Sequence, residues 1–189
     1  MMDNNVQSVS TTEKYKPSRL LSGTFEWMSA AIVALILIVL VFALLFRMVN
    51  VDGQSMEPNL HSGDRLIISN FAYTPEYGDI VVVRREQNTP LIKRVIGLPG
   101  DVIQINNDEG AVYRNGEKLE EPYIMSGITK QSFNAVGVST PVVVEEGTIY
   151  VLGDNRTNSH DSRNDGCYPM EYLVGRVLFR LTPEFGKVE

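Results

Sequence analysis

The sequence has almost no cysteine and almost no histidine. Cys167 is the one cysteine, so the chain cannot form an intramolecular disulfide. The two histidines, His61 and His160, are far apart, and neither has the neighbouring cysteine or histidine that a zinc-like site requires. The residues therefore predict a fold that is stabilised by its core, and a chemistry that uses no protein-bound metal or other cofactor.

A long run of basic residues is also missing. Lysine and arginine number 17 against 23 aspartates and glutamates, which gives a formal net charge of −6. No basic block is long enough to follow a phosphate backbone, so nucleic acid is excluded as a partner. The apolar share of 43% is ordinary for a packed protein and argues against a soluble disordered chain.

Charge is absent from residues 28–46, which are almost entirely apolar. Nineteen residues at about 1.5 Å per residue make a helix of roughly 28 Å, close to one hydrocarbon thickness. A cleavable signal peptide is the competing interpretation, but its apolar run is usually about 7–15 residues long, and no small-x-small site follows here. We expect an uncleaved transmembrane helix at 28–46, preceded by a flexible cytoplasmic leader at 1–27.

The charges that flank this helix favour one orientation by a narrow margin. Lys14, Lys16 and Arg19 precede the helix, whereas Arg47 and Arg65 follow it within about 20 residues. Three basic residues against two favour an N-terminus inside the cell.

Beyond the helix the sequence changes to short β-branched and aromatic runs separated by Gly, Pro, Asn and Asp. Residues 47–189 are therefore predicted to form a mainly β domain built on an antiparallel sheet. Within it, residues 106–146 are more polar and are predicted to be a small inserted, β-rich cap segment. The sequence Arg114-Asn115-Gly116-Glu117 suits a tight hairpin. The predicted strands are Arg65–Ile68, Asp79–Val83, Leu91–Ile96, Val102–Ile105, Val142–Val144, Thr148–Leu152 and Arg176–Leu181.

Two residues of this domain are candidates for nucleophilic chemistry. Ser55 lies in a turn, where an isolated serine is usually only a turn residue, but it becomes a nucleophile if a base lies beside it. Side chains alternate between two faces along Leu91–Ile96, so either Lys93 or Arg94 must lie among apolar neighbours. A buried Lys93 would have a lowered pKa and could act as the base. The alternative is a Lys93 that snorkels to solvent at a sheet edge.

A polar segment, Gly153–Arg163, follows one of the predicted strands. It is either a surface loop or a hydrogen-bonded scaffold, and its aspartates and arginines favour the scaffold. Asp161 and Arg163 are predicted to form an ion pair. His160 in the same segment is an alternative base, whereas His61 is expected to be a solvated loop residue.

Three segments together resemble the type I signal peptidases, the membrane-anchored serine proteases that remove signal peptides from exported proteins. Gln54–Pro58 is similar to the nucleophile motif of that family, Ile92–Asp101 to its lysine-arginine motif, and Gly153–Arg163 to its third motif. The resemblance covers the chain from about Phe46 onward. The single anchor and the short insert look more like the enzymes of Gram-positive bacteria.

The resemblance implies a role for each matching residue. Ser55 would be the nucleophile and neutral Lys93 the general base, and Ser159 would orient the lysine by a hydrogen bond. Gly53 stands where some members have a serine, so the oxyanion hole would consist of the backbone amides of Ser55 and Gly53. Asn59 stands where threonine often follows the proline. The residues that brace the third segment would be Asp154, Asp161 and Arg163.

The resemblance also implies a substrate site. Shallow apolar pockets would select small side chains at positions −1 and −3 of the signal peptide, which would bind as an added extended strand. The enzyme would then cut after the small residue of an Ala-x-Ala site. The pocket residues would be Met56, Leu60, Val82 and Ile92, with Val51 and Leu66 beside them.

The implied partners are the signal peptides of secreted preproteins and the lipid bilayer. The protein would be a single-pass protein of the cell membrane, with a cytoplasmic N-terminus and the catalytic domain on the outer face.

The anchor argues against a soluble, self-cleaving serine–lysine peptidase. The presence of both Ser55 and Lys93 argues against a non-catalytic assembly factor, and a receptor would not explain the lysine-arginine motif.

Overall fold

A computed structural model describes residues 19–85, 90–106, 108–124 and 140–188. The chain divides into two compact units, Met1–Phe42 and Ala43–Glu189. Most of the predicted leader, residues 1–18, lies outside the described residues. The predicted bounds of the leader, anchor and inserted segment stay predictions.

The first unit contributes most of one long helix, α1, at Arg19–Leu45. Its segment Thr24–Leu45 is long and apolar enough to cross a membrane. At about 1.5 Å per residue this segment is roughly 33 Å long, which matches the hydrocarbon thickness of a bilayer. The helix ends one residue before the predicted bound, because Phe46 pairs with Ser69 as the first residue of a β-strand.

The second unit, from Ala43 onward, is mainly β, as the sequence predicts. All strand pairs among the described residues are antiparallel. A one-turn helix, α2, spans Ser162–Asp165, and a 3-10 turn spans Met170–Tyr172. The strands, in chain order, are β1 Phe46–Asn50, β2 Arg65–Ser69, β3 Ile80–Arg84, β4 Pro90–Gly97, β5 Val102–Asn106, β6 Ala111–Arg114, β7 Glu117–Lys118, β8 Val142–Val143, β9 Thr148–Leu152, β10 Tyr168–Pro169, β11 Leu173–Thr182 and β12 Gly186–Lys187.

The larger sheet has the order β1-β2-β11-β3-β4-β9-β10, with β12 paired to β11. Strand β4 lies between β3 and β9, so both of its edges are paired, and side chains on both of its faces are buried. Every residue of β4 from Ile92 to Gly97 is buried. This central position explains how a lysine and an arginine on one strand can both be held inside the protein.

The smaller sheet has the order β7-β6-β5-β8. Its predicted hairpin is confirmed: Arg114 pairs with Glu117, and Asn115 and Gly116 both have positive φ, at 54° and 84°. The sheet begins at Val102, before the predicted start of the inserted segment at residue 106. Residues 125–139 of that segment lie outside the described residues.

Three clusters of buried apolar side chains hold the second unit together. One cluster joins the turn after β1 to strands β2, β3, β4 and β11. It therefore fixes the loop that carries Ser55 against the strand that carries Lys93. The buried members of this cluster are Val51, Met56, Leu60, Leu66, Ile68, Ile80, Val82, Ile92 and Val177.

Candidate active site

The turn that carries Ser55 connects β1 to β2 and is anchored at both ends. Val51 donates a backbone hydrogen bond to the Asp64 carbonyl at 2.8 Å, and Leu60 donates one to the Met56 carbonyl at 2.9 Å. Met56 and Leu60 are 1% and 0% exposed. Ser55, between these anchors, is half-buried, so its hydroxyl is held in place beside the core.

Lys93 is buried and directly contacts Ser55. The residue pairs with Val81 across β3 and β4 and is 2% exposed. Its Nζ donates to Ser55 Oγ at 2.7 Å and to the Ile92 carbonyl at 2.9 Å. The predicted burial of Lys93 is confirmed, and the alternative of a snorkelling lysine is wrong.

Burial lowers the pKa of Lys93 from 10.5 to about 8. An ammonium inside the protein loses its hydration, so the neutral amine is favoured. The carboxylates of Asp161 and Asp154 oppose this shift, and the Arg163 guanidinium adds to it. With a pKa of about 8, a substantial fraction of the lysine is neutral near physiological pH, which is the form that can accept a proton.

Arg94, the next residue on β4, is also buried, although the alternation of faces required only one of the two to be. Its guanidinium forms a bidentate pair with Asp154, at 2.8 Å from Nε to Oδ1 and 2.7 Å from Nη2 to Oδ2. Its Nη1 donates to the Gly78 carbonyl at 2.8 Å, and the group lies 4.1 Å from the centre of the Tyr123 ring. These contacts compensate the buried charge of Arg94, whereas Lys93 has no carboxylate in direct contact within the described part of the chain.

Asn59 supports the same ion pair. Its Nδ2 donates to Asp154 Oδ2 at 2.7 Å and to the Tyr123 carbonyl at 2.6 Å. Asp154 thus joins the segment after Ser55 to β4. No local pattern predicts this contact, because Asn59 and Asp154 are 95 residues apart in the sequence.

The third polar segment is a scaffold rather than a loose surface loop. Asp161 and Arg163 form the predicted ion pair, with 2.8 Å from Nε to Oδ1 and 2.8 Å from Nη2 to Oδ2. Asp161 also accepts from the Gly153 amide at 3.0 Å and caps the start of α2. Burial alone would raise the pKa of Asp161, but the hydrogen bond and charge of Arg163 outweigh it and hold the pKa below its usual range.

The start of this segment is bonded to the turn that carries Ser55. The Asn155 amide donates to the Ser55 carbonyl at 3.0 Å, and its Nδ2 donates to the Gln54 carbonyl at 3.1 Å. Asn155 was not among the predicted site residues, and its position in a dense polar run next to Asp154 was the available signal. Arg156, also missed, is 2% exposed and donates to Glu121 at 2.9 Å.

Ser159 does not make the hydrogen bond to Lys93 that the resemblance implies. Its Oγ is buried and forms no hydrogen bond to Lys93, and its hydroxyl acts instead on the Asp161 carboxylate, whose pKa it helps to lower. It packs tightly against Gly153, where an added Cβ would overlap it and lie 2.5 Å from the Ser55 carbonyl oxygen. The site therefore needs glycine at 153, and Lys93 is oriented by Ser55 and its own strand.

His160 lies at the surface, and none of its described contacts is with Ser55 or Lys93. Its Nε2 is 2.7 Å from Asp165 Oδ1, and its side chain is 44% exposed. Its described contact is thus with a carboxylate of α2 and not with the candidate nucleophile. His61 is exposed, as expected.

A cleft of about 160 Å³ opens beside Ser55 and Lys93. Of the predicted pocket residues, Met56, Ile92 and the neighbouring Val51 line it. Leu60 and Val82 do not line the cleft. They are fully buried in the cluster behind it, as is Leu66.

Backbone amides are available next to this cleft. Within the described part of the chain, neither the Ser55 amide nor the Gly53 amide donates a backbone hydrogen bond. Gly53 has φ of +95°, a conformation that side-chain-bearing residues rarely adopt, and an added Cβ would meet nothing within 4 Å. Backbone conformation rather than lack of space therefore accounts for glycine at this position.

A family model described as "Signal peptidase, peptidase S26" matches residues 24–182. The chain belongs to this signal peptidase family. It is similar to signal peptidase I of Bacillus licheniformis, with 42% identity over 86% of this chain and 90% of the relative. It is also similar to signal peptidase I T of Bacillus subtilis, with 36% identity over 91% of this chain and 93% of the relative.

A solved structure of signal peptidase I from Enterococcus faecalis is 29% identical and covers 55% of this chain and 97% of its own, with a TM-score of 0.46. The family model and the relatives confirm the predicted family, and the chain is a serine peptidase and a hydrolase.

Loss of the Asp154 carboxylate should destabilise this signal peptidase strongly. In Asp154→Asn the buried Arg94 guanidinium loses its bidentate carboxylate, which we expect to cost about 3 kcal/mol of unfolding free energy. Urea unfolding of the full chain in detergent, followed by circular dichroism, measures this. The matched control is Glu109→Gln, which removes an exposed carboxylate 3.5 Å from Lys118 and should leave the unfolding midpoint unchanged. Equal effects of the two substitutions would contradict the role given to Asp154.

Proposed function

We propose that the enzyme removes N-terminal signal peptides from exported preproteins, with Ser55 as the nucleophile and neutral Lys93 as the general base. The observation that carries the proposal is the 2.7 Å contact between Lys93 Nζ and Ser55 Oγ, at a lysine that is 2% exposed. A serine hydroxyl needs a base within hydrogen-bond reach, and the lowered pKa of Lys93, about 8, makes its amine suitable.

In the proposed reaction Ser55 Oγ attacks the carbonyl carbon of the scissile peptide bond while its proton passes to Lys93 Nζ. The resulting tetrahedral oxyanion accepts hydrogen bonds from the backbone amides of Ser55 and Gly53. The intermediate collapses, the peptide bond breaks, and the Lys93 ammonium returns its proton to the leaving amine of the mature protein. The products of this half are an acyl-enzyme at Ser55 and a neutral Lys93.

In the second half a water molecule attacks the acyl-enzyme, and Lys93 accepts a proton from that water. Collapse of the second tetrahedral intermediate releases the signal peptide as a carboxylic acid and returns the proton to Ser55 Oγ. Two arrangements support both steps: Asn155 holds the carbonyl of Ser55, and Asp154, Arg94 and Asn59 hold the segment that follows it.

The small cleft supports a preference for alanine-like residues. Its volume of about 160 Å³ accommodates a short segment of substrate, and its apolar lining by Val51, Met56 and Ile92 suits a methyl side chain better than a polar one. We propose cleavage after the small residue of an Ala-x-Ala site, with Leu60 and Val82 as the packed support behind the pocket walls.

We further propose that Thr24–Leu45 anchors the enzyme in the cell membrane with a cytoplasmic N-terminus, and that the β domain lies on the outer face. Signal peptides emerge at that face, and an anchored enzyme meets their cleavage sites close to the bilayer surface. The segment's length and composition, and the excess of basic residues before it, support this topology.

Replacement of either proposed catalytic residue should abolish cleavage. Ser55→Ala removes the nucleophile, and Lys93→Met keeps a similar length but removes the base, so each should lower the rate by about 10³-fold or more. The assay is cleavage of a preprotein with an Ala-x-Ala site by the detergent-solubilised full chain. His160→Ala is the matched control and should cut at the wild-type rate. An active Lys93→Met, or an inactive His160→Ala, would show that the base is wrongly assigned.

The cleavage rate should also rise with pH until about pH 8. Only neutral Lys93 accepts a proton, so kcat/KM should fall about tenfold for each unit below its pKa of about 8 and level off above it. The profile is measured with the same preprotein between pH 6 and about 10. A rate that is constant from pH 6 to 8, or that falls as the pH rises from 7 to 8, would contradict a lysine base.

A further inference from the structure

A second cavity of the β domain lies at the point where the chain leaves α1. Its volume is about 340 Å³. It is lined by Leu44 and Leu45, the last residues of the candidate membrane span, and by Arg47, Phe71 and Arg84. All of these residues belong to the unit that begins at Ala43. The cavity does not include Ser55 or Lys93, and neither the mechanism nor the family comparisons assign it a role.

The cavity is positively charged, although the chain as a whole carries a net charge of −6. Arg47 and Arg84 are both exposed, and no aspartate or glutamate of the described chain lines the cavity. Neither guanidinium takes part in an ion pair within the described residues. Other arginines of the domain are neutralised, as Arg85 is by Asp165 at 3.3 Å and Arg163 by Asp161 at 2.8 Å. Two guanidinium groups that have no carboxylate partner in the described part of the chain, placed in one concave site, favour an anionic ligand.

Chain connectivity places this cavity at a particular depth. Arg47 follows the end of the candidate span by two residues, or roughly 7 Å of extended chain. The headgroup layer of a bilayer is about 5–8 Å thick on each side of the hydrocarbon, so Arg47 lies at the level of the lipid phosphates if the span crosses the membrane. Phe71, which is 71% exposed at the same cavity, adds an apolar group suited to this interface.

We propose that this cavity binds the headgroup phosphate of an anionic phospholipid through Arg47 and Arg84. Ser69 and Asn70, which also line it, supply neutral polar groups for the phosphate and glycerol oxygens. The proposal rests on the membrane anchoring put forward above. The acyl chains of such a lipid extend into the bilayer beside Leu44 and Leu45, which a free phosphate ion could not do.

Strand β1 connects this lipid site to the active-site cleft. Arg47 lines the cavity, whereas Val49 and Asn50 at the other end of the strand line the cleft beside Ser55. A lipid held at one end of a five-residue strand fixes the height of the other end above the membrane. Lipid binding thereby sets the position of the cleft relative to an inserted signal peptide.

The test is native mass spectrometry of the full chain in detergent, titrated with phosphatidylglycerol and, separately, with zwitterionic phosphatidylcholine. The wild type should retain one phosphatidylglycerol per chain in preference to phosphatidylcholine. The double variant Arg47→Gln/Arg84→Gln should bind phosphatidylglycerol about 30-fold more weakly. Arg65→Gln, which removes an exposed arginine that does not line the cavity, is the matched control and should bind as the wild type does. Circular dichroism verifies that all variants are folded.

Four results would overturn the proposal, and the first is a wild type that binds phosphatidylglycerol no better than phosphatidylcholine. The double variant could bind phosphatidylglycerol as tightly as the wild type, or Arg65→Gln could lose as much affinity as the double variant. Millimolar inorganic phosphate could also displace the lipid, which would indicate a site for simple anions. Carbonate extraction of membranes that contain the wild type distinguishes a failure of the lipid site from a failure of the membrane anchor, because only an anchored chain stays in the extracted membrane. A chain that stays in the membrane but lacks the lipid preference contradicts only the lipid site.

Discussion

Lys93 is buried against Ser55, and the charged groups around it are arranged to keep its amine neutral. An amine whose pKa falls from 10.5 to about 8 is protonated less readily in the native state than in the unfolded chain. At about 1.4 kcal/mol per unit, this difference costs roughly 3 kcal/mol of folding stability at any pH below 8. The cost shrinks as the pH rises from 8 towards 10.5, because the unfolded chain then also releases its proton. A site that needs a neutral lysine thus accepts a less stable fold.

The neighbouring charges show how that pKa is kept low without loss of the fold. Arg94 is buried on the same strand, yet its charge is neutralised by the bidentate contact with Asp154. Asp161 is engaged in the same way by Arg163. Asp154 and Asp161 are therefore each paired with a guanidinium, and neither forms an ion pair with Lys93 within the described residues. A carboxylate in direct contact with Lys93 would raise its pKa and remove the base.

Local patterns predicted the strands and the candidate dyad, but not the contacts that join them. The alternation along β4 indicated that Lys93 or Arg94 is buried, and Asn115-Gly116 indicated a hairpin, because these signals lie within a few residues. The end of α1 could not be predicted, since Phe46 is apolar enough for a span and becomes a strand only by pairing with Ser69. Asn59 was likewise unpredictable, because its partner is 95 residues away.

The most direct test of the account is the pKa of Lys93 itself. Nuclear magnetic resonance of the full chain with labelled lysine, in detergent micelles, follows the side-chain signal through a pH titration, and Lys93→Met identifies which signal belongs to this residue. If Lys93 is the base, the midpoint of its titration should lie at about 8. A midpoint near 10.4, the value of an ordinary exposed lysine, would mean that Lys93 is protonated at working pH and is not the base.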